Sequence, residues 1–190
     1  YKLLAERVRE APGVQRAALM RNPPLGLDSF DSVAFVPDGF QMARDRETFT
    51  STMDTVDEGY FETMGIPILR GRGVLASDTG DTARVAVVNE QFAKHYWPGV
   101  DAVGKHIRLD NQAGTPVEIV GVAETIKYRG TAERPADFLY LPLAQHPVAR
   151  MVLLLRSSGD PLELVKSVKD VVRTLDPNMP ILERRTYEDL

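Results

Sequence analysis

Residues 49–74, FTSTMDTVDEGYFETMGIPILRGRGV, constrain the fold more than any other stretch, because they read as strand, capped helix and strand with almost no slack. Thr50, Thr52 and Thr55 sit among Phe49, Met53 and Val56, a β-branched and apolar run suited to a half-buried strand. Asp57 stands where a helix N-cap belongs, its carboxylate placed to accept from the free amides of the first turn, and Val56 is placed to pack on Phe61 as a hydrophobic staple. Gly65 stops the helix, and Pro67 keeps the chain extended into a strand at 66–69. Gly71 and Gly73 are expected to punctuate a turn. Two strands joined by so short a helix lie side by side only if the helix packs across one face of their sheet, so the unit predicts a rigid connector and no catalyst.

A chain of 190 residues holds one ordinary domain or two small ones, with enough apolar content for a core without disulfides. The net charge of −4 and the lack of a clustered basic face argue against a nucleic-acid partner. The absence of cysteine fits the cytosol and the outside of a bacterial membrane equally well. The longest apolar runs, 119–123 and 151–155, are strand-sized, far short of the roughly 20 residues that span a bilayer. The segment is therefore expected to carry neither a membrane anchor nor a signal peptide, and its start within a helical pattern is expected of a piece of something longer.

Residues 1–10 predict a helix with Leu4 and Val8 on one face, ended by Pro12 and Gly13, and 14–20 a strand. The connection 21–31, with Pro23, Pro24 and Gly26, predicts a loop. Its Leu25, Leu27 and Phe30 either tuck back onto the core or face a partner protein. A short strand at 32–36 and a polar connection over 37–47 lead into the central unit. Residues 76–83 read as a loop and a domain boundary. Asp78 and Asp81 there do not supply the five or more converging oxygens of a calcium site, so a solvated turn is expected. A strand at 84–88 runs into a helix capped by Asn89, and Trp97 plugs the junction beyond it. Strands follow at 105–109, 117–123 and 138–141, the first two joined by a hairpin loop at 111–114. The loop 124–134, with Lys127, Tyr128 and Arg129, reads as the most exposed part of this β-rich segment and as a second place for partner contacts. The final third predicts a buried strand at 150–156. After it Asp160, Pro161 and Glu163 form a capping box, Leu164, Val168, Val171 and Leu175 an apolar helical stripe, and 181–185 a closing strand. Two βαβ units thus bracket a β-rich insert.

The motifs of chemistry are missing. His95, His106 and His146 lack the i, i+4 spacing of a helical zinc pair and have no cysteine support, so no metal site is expected. There is no G-x-S-x-G elbow, no phosphate-binding loop and no G-x-G-x-x-G, so neither a catalytic residue nor a cofactor site is assigned. Arg70-Gly71-Arg72-Gly73 reads as a basic turn more readily than an anion cradle, and Glu58 with Glu62 as a solvated helix face.

The run Tyr60-Phe61-Glu62-Thr63-Met64-Gly65-Ile66-Pro67, followed by Leu69-Arg70-Gly71-Arg72, strongly resembles the MacB-like periplasmic core domain of bacterial ABC-transporter permeases. So do Val85-Ala86-Val87-Val88-Asn89-Glu90, Phe92-Ala93, Trp97-Pro98-Gly99, Gly104-Lys105 before Ile107, Val120-Gly121-Val122, and Asp176-Pro177 with Pro180. The likeness is to the FtsX/MacB-like permeases, their duplicated-permease branch most closely. It implies an α+β fold in which a porter-like subdomain built from βαβ units is interrupted by a smaller β-rich, Sabre-like subdomain: 1–76 and 135–190 in the first, 77–134 in the second. It further implies a periplasmic, non-enzymatic domain without a cofactor, set between two transmembrane helices of its own chain. The resemblance implies as well an ABC ATPase that drives it indirectly, a possible periplasmic partner protein and a possible dimer in the full transporter. The alternative is an extracytoplasmic ligand-binding domain holding a peptide or amphiphile between its subdomains.

Overall fold

The structure, a computed structural model, describes residues 1–24, 30–40, 42, 46–128, 130, 133–181 and 186. Its elements in chain order are α1 (Lys2–Arg9), β1 (Val14–Met20), β2 (Asp31–Pro37), β3 (Phe49–Val56), α2 (Tyr60–Met64), β4 (Ile68–Gly71), β5 (Val85–Asn89), α3 (Glu90–Tyr96), β6 (His106–Leu109), β7 (Pro116–Ala123), β8 (Phe138–Pro142), β9 (Val152–Ser157) and α4 (Pro161–Leu175).

All nine strands belong to one sheet, in the order β2-β6-β7-β5-β8-β3-β1-β9 with β4 added beside β7. Because β2 also pairs with β3, the path from β2 round to β3 closes on itself. Two of its pairings, β3 with β8 and β5 with β7, are parallel, and the others in the circuit are antiparallel. Every strand of this circuit sends apolar side chains into one cluster, among them Val33, Phe35, Phe49, Met53, Ala86, Val88, Ile107, Ile119, Leu139 and Leu141. Helix α3 closes the cluster with Phe92, Tyr96 and Trp97, all buried. Asn89 caps α3 as its sequence position predicts, accepting from the Phe92 amide at 2.9 Å. The same side chain accepts from the Phe138 amide (3.1 Å) and donates to the Ala136 carbonyl (2.7 Å), so one cap also fixes where β8 begins.

Outside the circuit, β1 and β9 pair antiparallel from Val14↔Ser157 to Met20↔Val152. Alternate residues of this ribbon face opposite ways, as pleating requires. Ala18, Met20 and Leu154 join the cluster beneath α2, while Ala17, Leu153 and Leu155 pack against α1 and α4 through Leu4, Val8, Leu164, Val168, Val171 and Val172. The helical stripe predicted for α4 is thus the packed one, with Leu164 buried and Val168, Val171 and Leu175 partly so. The chain folds back on itself after α1, after β1 and after β9, so α1 and α4 are antiparallel. The start of α1, where the Tyr1 hydroxyl donates to the Ala149 carbonyl, and the end of α4 lie at one end of this helical pair.

The central unit forms its three elements but not their expected pairing. β3 and β4 are not neighbours: β4 pairs antiparallel with β7, and α2 packs across β1 and β9 instead. The reason lies at β4. Gly71, at φ +67°, lies so close to β7 that a Cβ would stand 2.2 Å from the Val120 carbonyl oxygen, and a Cβ on Gly121 would stand 1.9 Å from that of Arg72. Gly71 and Gly121 therefore permit a close strand approach, and Gly71 with Gly73 does not make the expected turn. Gly65 ends α2 in the left-handed conformation (φ +71°), with the Ile66 amide donating to the Phe61 carbonyl at 2.8 Å. Asp57 is not the side-chain cap of α2, whose N-cap is Gly59. Its carboxylate accepts from the Gly59 amide one step earlier, at 3.0 Å.

The loop 76–83 is mostly exposed turn, as expected, with Asp78 as the exception. Asp78 is buried, takes both Nη atoms of Arg72 at 2.8 and 2.9 Å, and accepts from the Leu75 amide. Gln145 ties the same loop to the end of β8 by donating to the Thr79 and Ala83 carbonyls and accepting from the Val85 amide. The strand expected at 181–185 lies outside the described residues apart from Ile181.

Candidate functional site

The two loops singled out for partner contacts meet in space. Phe30 stands edge-on to Tyr128 and to Phe138, with ring centroids 5.4 Å away in both cases. Tyr128 stacks on Phe138 at 3.9 Å with 10° between the rings, and its hydroxyl meets that of Tyr140. Tyr128 is therefore a buried residue, 3% exposed, and the expectation of an exposed side chain there is corrected. The physical reason is its place opposite β8, where the rings of Phe138 and Tyr140 line the sheet face. Phe30 is half-buried and packed on the core, which follows the first of its two readings. Lys127 is exposed. Leu25, Leu27 and Arg129 lie outside the described residues.

Under this aromatic junction lies a pair of buried acids on the last turn of pleat in β3 and just past it. Asp54 is fully buried and accepts from the amides of Thr55 (2.8 Å) and Asn22 (3.2 and 3.3 Å). Burial pushes its carboxyl up to about 7, against the pull of the amides of Thr55, Asn22 and Arg21, with Asp31 adding to the rise. Asp31 itself pairs with the Arg21 guanidinium and accepts from the Asn22 amide group at 3.4 Å. Both roots of the 21–31 connection are thereby fixed around one carboxylate. Asp57, 6% exposed, is pushed up to about 6 by burial and by Glu58, while Arg9 pulls the other way. Arg9 reaches Asp57 and Glu58 at 3.1 Å each and donates to the Ala17 carbonyl at 3.0 Å, so helix α1, strand β1 and the start of α2 share one guanidinium. Glu62 pairs with Arg16. The pair Glu58 and Glu62 is thus engaged with arginines of α1 and β1 and is not simply a solvated face.

Sequence reasoning missed Asp54. A signal was available: an acid two residues before Val56 lies on the same face of the strand, and that face is buried.

The remaining candidates do not converge on chemistry. Arg70 pairs with Asp101 at 3.5 Å and Lys94 with Glu90 at 3.0 Å, both beside a shallow groove of about 410 Å³ between α3 and β4. Both arginines of the basic run are thus paired with nearby acids, Arg70 with Asp101 and Arg72 with Asp78. His95 Nδ1 lies 2.7 Å from Asp137, on an exposed surface. His146 is elsewhere, its ring held below its ordinary value by burial and by Arg84. Among the described residues no three or more of His, Cys, Asp and Glu gather as a metal site, and no helix is long and apolar enough to cross a membrane.

The fold around these groups is a mixed sheet whose strand circuit closes on itself, with α1 and α4 packed antiparallel beside it. Residues 5–171 match the MacB-like periplasmic core domain, and the chain belongs to that family, the periplasmic core domain of a cytoplasmic-membrane ABC-transporter permease. The macrolide export ATP-binding/permease protein MacB of Mannheimia succiniciproducens is 31% identical over 77 residues, which are 40% of this chain and 12% of that protein. The chain therefore spans a small part of that relative.

The periplasmic region of MacB from Actinobacillus actinomycetemcomitans superposes with a TM-score of 0.62 at 17% identity, over 92% of this chain and 73% of the other. The extracellular domain of the noncanonic ABC-type transporter YknZ from Gram-positive bacteria gives 0.59 at 15%, over 93% and 82%. A domain of a putative permease from Porphyromonas gingivalis gives 0.57 at 16%, over 90% and 68%. The fold class expected from the sequence, α+β with porter-like and Sabre-like parts, is borne out by these likenesses. The family is one of transporter domains and not of catalysts.

Proposed function

We propose that this domain is a non-enzymatic transducer, which passes ATP-driven motion of membrane helices to a periplasmic partner or substrate. The observation that carries this reading is the antiparallel packing of α1 on α4, with the start of one beside the end of the other. Two membrane helices attached there would act on a single rigid base. That base is continuous with the β1–β9 ribbon and, through β3, with the strand circuit. In this reading the segments 1–76 and 135–190 form the driven, porter-like part, and 77–134 with the Phe30–Tyr128 junction forms the part offered to a partner. Lys127, exposed beside that junction, is the contact candidate among the described residues, and Leu25, Leu27 and Arg129 are the further candidates the sequence names. The membrane helices of the same chain, an ABC ATPase acting indirectly and a second copy in a dimeric transporter complete the assembly.

The test uses the parent transporter in lipid vesicles. This segment has no cysteine, so Gln112→Cys on the exposed β6–β7 hairpin places one dye, with an acceptor dye in the lipid headgroups. Energy transfer between them is expected to change between the nucleotide-free and ATP-trapped states. Identical transfer in both states would reject the transducer.

A further inference from the structure

Strand β3 ends before the edge of β1 that it pairs with. The two strands meet at Met20↔Val56, and the ladder runs on for one bond more, the Asp57 amide donating to the Leu19 carbonyl. The next carbonyl on that edge of β1 lies two residues back, at Ala17. The Gly59 amide, which a continuing strand would have offered to it, donates to the Asp57 carboxylate at 3.0 Å. The Arg9 side chain of α1 takes that carbonyl instead, its Nε donating to Ala17 at 3.0 Å. The same guanidinium pairs through Nη2 with Asp57 and through Nη1 with Glu58, at 3.1 Å each, and so occupies the place into which β3 would have continued. Gly59 marks how closely the turn is built round it. A Cβ there would stand 2.8 Å from the Ala17 carbonyl oxygen and 2.9 Å from Arg9 Nη2. The φ of Gly59, −85°, is open to any residue, so glycine is required by the space that these two groups fill.

We propose that Arg9 is a positioning residue that locks α1 to the turn between β3 and α2, so that α1 does not slide or roll on the sheet without carrying Asp57 and Glu58 with it. The physical cause is direction. Leu4 and Val8 hold α1 against the fold by apolar contact, which favours burial but fixes no particular position along the surface. A planar guanidinium with acceptors on two segments does fix one, because each of its charge-assisted bonds weakens as the fork turns or shifts. One of those segments is β1, on which α1 already packs, and the other is the turn that leaves the strand circuit at β3. Arg9 thereby makes a direct path from the first helix to the circuit, beside the longer one through β1. That this path carries movement during transport rests on the transducer role proposed above, whereas the lock itself does not.

The experiment measures distances between two spin labels by double electron–electron resonance on the 190-residue chain, which has no cysteine of its own. One pair joins Glu6→Cys, exposed on α1, to Leu69→Cys, exposed on β4, and a reference pair joins Glu6→Cys to Lys166→Cys, exposed on α4. Each pair is expected to give one narrow distance when Arg9 and Gly59 are present. Arg9→Lys keeps the charge and the stem but loses the fork, and is expected to broaden or split the α1–β4 distance while the α1–α4 distance stays narrow. Gly59→Ala puts a carbon where the guanidinium lies and is expected to have the same effect with Arg9 in place. An α1–β4 distance as narrow in Arg9→Lys as in the natural sequence would overturn the lock. A reference distance lost along with it would overturn it too, since Arg9 would then hold α1 on the fold as a whole. In the parent transporter, the change in energy transfer at Gln112→Cys between nucleotide states is expected to shrink in Arg9→Lys, and an undiminished change would overturn the part of Arg9 in transmission. The label distances read the lock even if that transfer never changes in the natural transporter, so failure of the lock and failure of the transducer are told apart.

Discussion

The two halves of β3 solve opposite problems. Its first half, with Phe49 and Met53, faces the inside of the strand circuit, where Phe35, Phe92 and Tyr96 pack ring on ring at 4.7 to 5.1 Å. Its second half and the residue after it carry Asp54 and Asp57, two buried acids held by amides and by Arg9. The first half gains stability from apolar area removed from water, a contribution without direction that varies little with pH. The second half gives some of that up for directed bonds, which set register and respond to protons. One strand thus carries both an apolar half that is nearly indifferent to pH and a half whose buried acids respond to it.

Breaking the apolar half is expected to cost most. Phe92→Ala leaves a void among Phe35, Tyr96 and Trp97 and is expected to lower stability by about 3–5 kcal/mol, read from urea unfolding. A loss below about 1 kcal/mol would mean that the circuit is not the stable half. The acid half is expected to show itself as a pH slope. The folded Asp54 carboxyl stands at about 7 against 3.8, so its contribution is most favourable below about pH 4, is lost as pH rises to about 7, and is constant beyond. The loss is at most about 4 kcal/mol, and Asp57, raised to about 6, acts in the same direction. Urea midpoints that rise with pH over this range would contradict it, as would a slope undiminished by Asp54→Asn.

Asn89→Ala sharpens the comparison from the circuit side, since it removes a cap from α3 and two bonds to the start of β8. A loss of about 2 kcal/mol is expected, with a slope against pH like that of the natural chain. Lys94→Ala, at an exposed i, i+4 pair with Glu90, is expected to change stability by no more than about 0.5 kcal/mol. An effect as large as that of Asn89→Ala would show that surface pairs matter here more than burial.

Much of the local grammar was legible, the cap expected at Asp57 and the turn expected at Gly71 and Gly73 being the exceptions. The cap at Asn89, the stop at Gly65, the hairpin between β6 and β7 and the stripe of α4 all stand where residue order put them. Each depends on groups within a few residues of one another, and that is the range over which sequence pattern speaks. Pairing across the sheet was not legible. Nothing in residues 49–74 announces that β4 belongs to β7, because the glycines permitting that approach, Gly71 and Gly121, lie fifty positions apart and each alone reads as a turn or a weak strand. Tyr128 escaped for a similar reason, since a polar loop gives no hint of the aromatic face of β8 waiting opposite it.

By itself, then, the sequence determined most of the elements, the caps at Asn89 and Gly65, the apolar faces and the family resemblance, all of which are written in short-range order. The tertiary structure alone decided that the strands close into a circuit, that the start of α1 and the end of α4 lie together, and that Asp54 is fully buried with no salt bridge among the described residues. A charge is costly only in the surroundings that folding builds around it, and those surroundings come from β1, β2 and β8, segments distant in the chain.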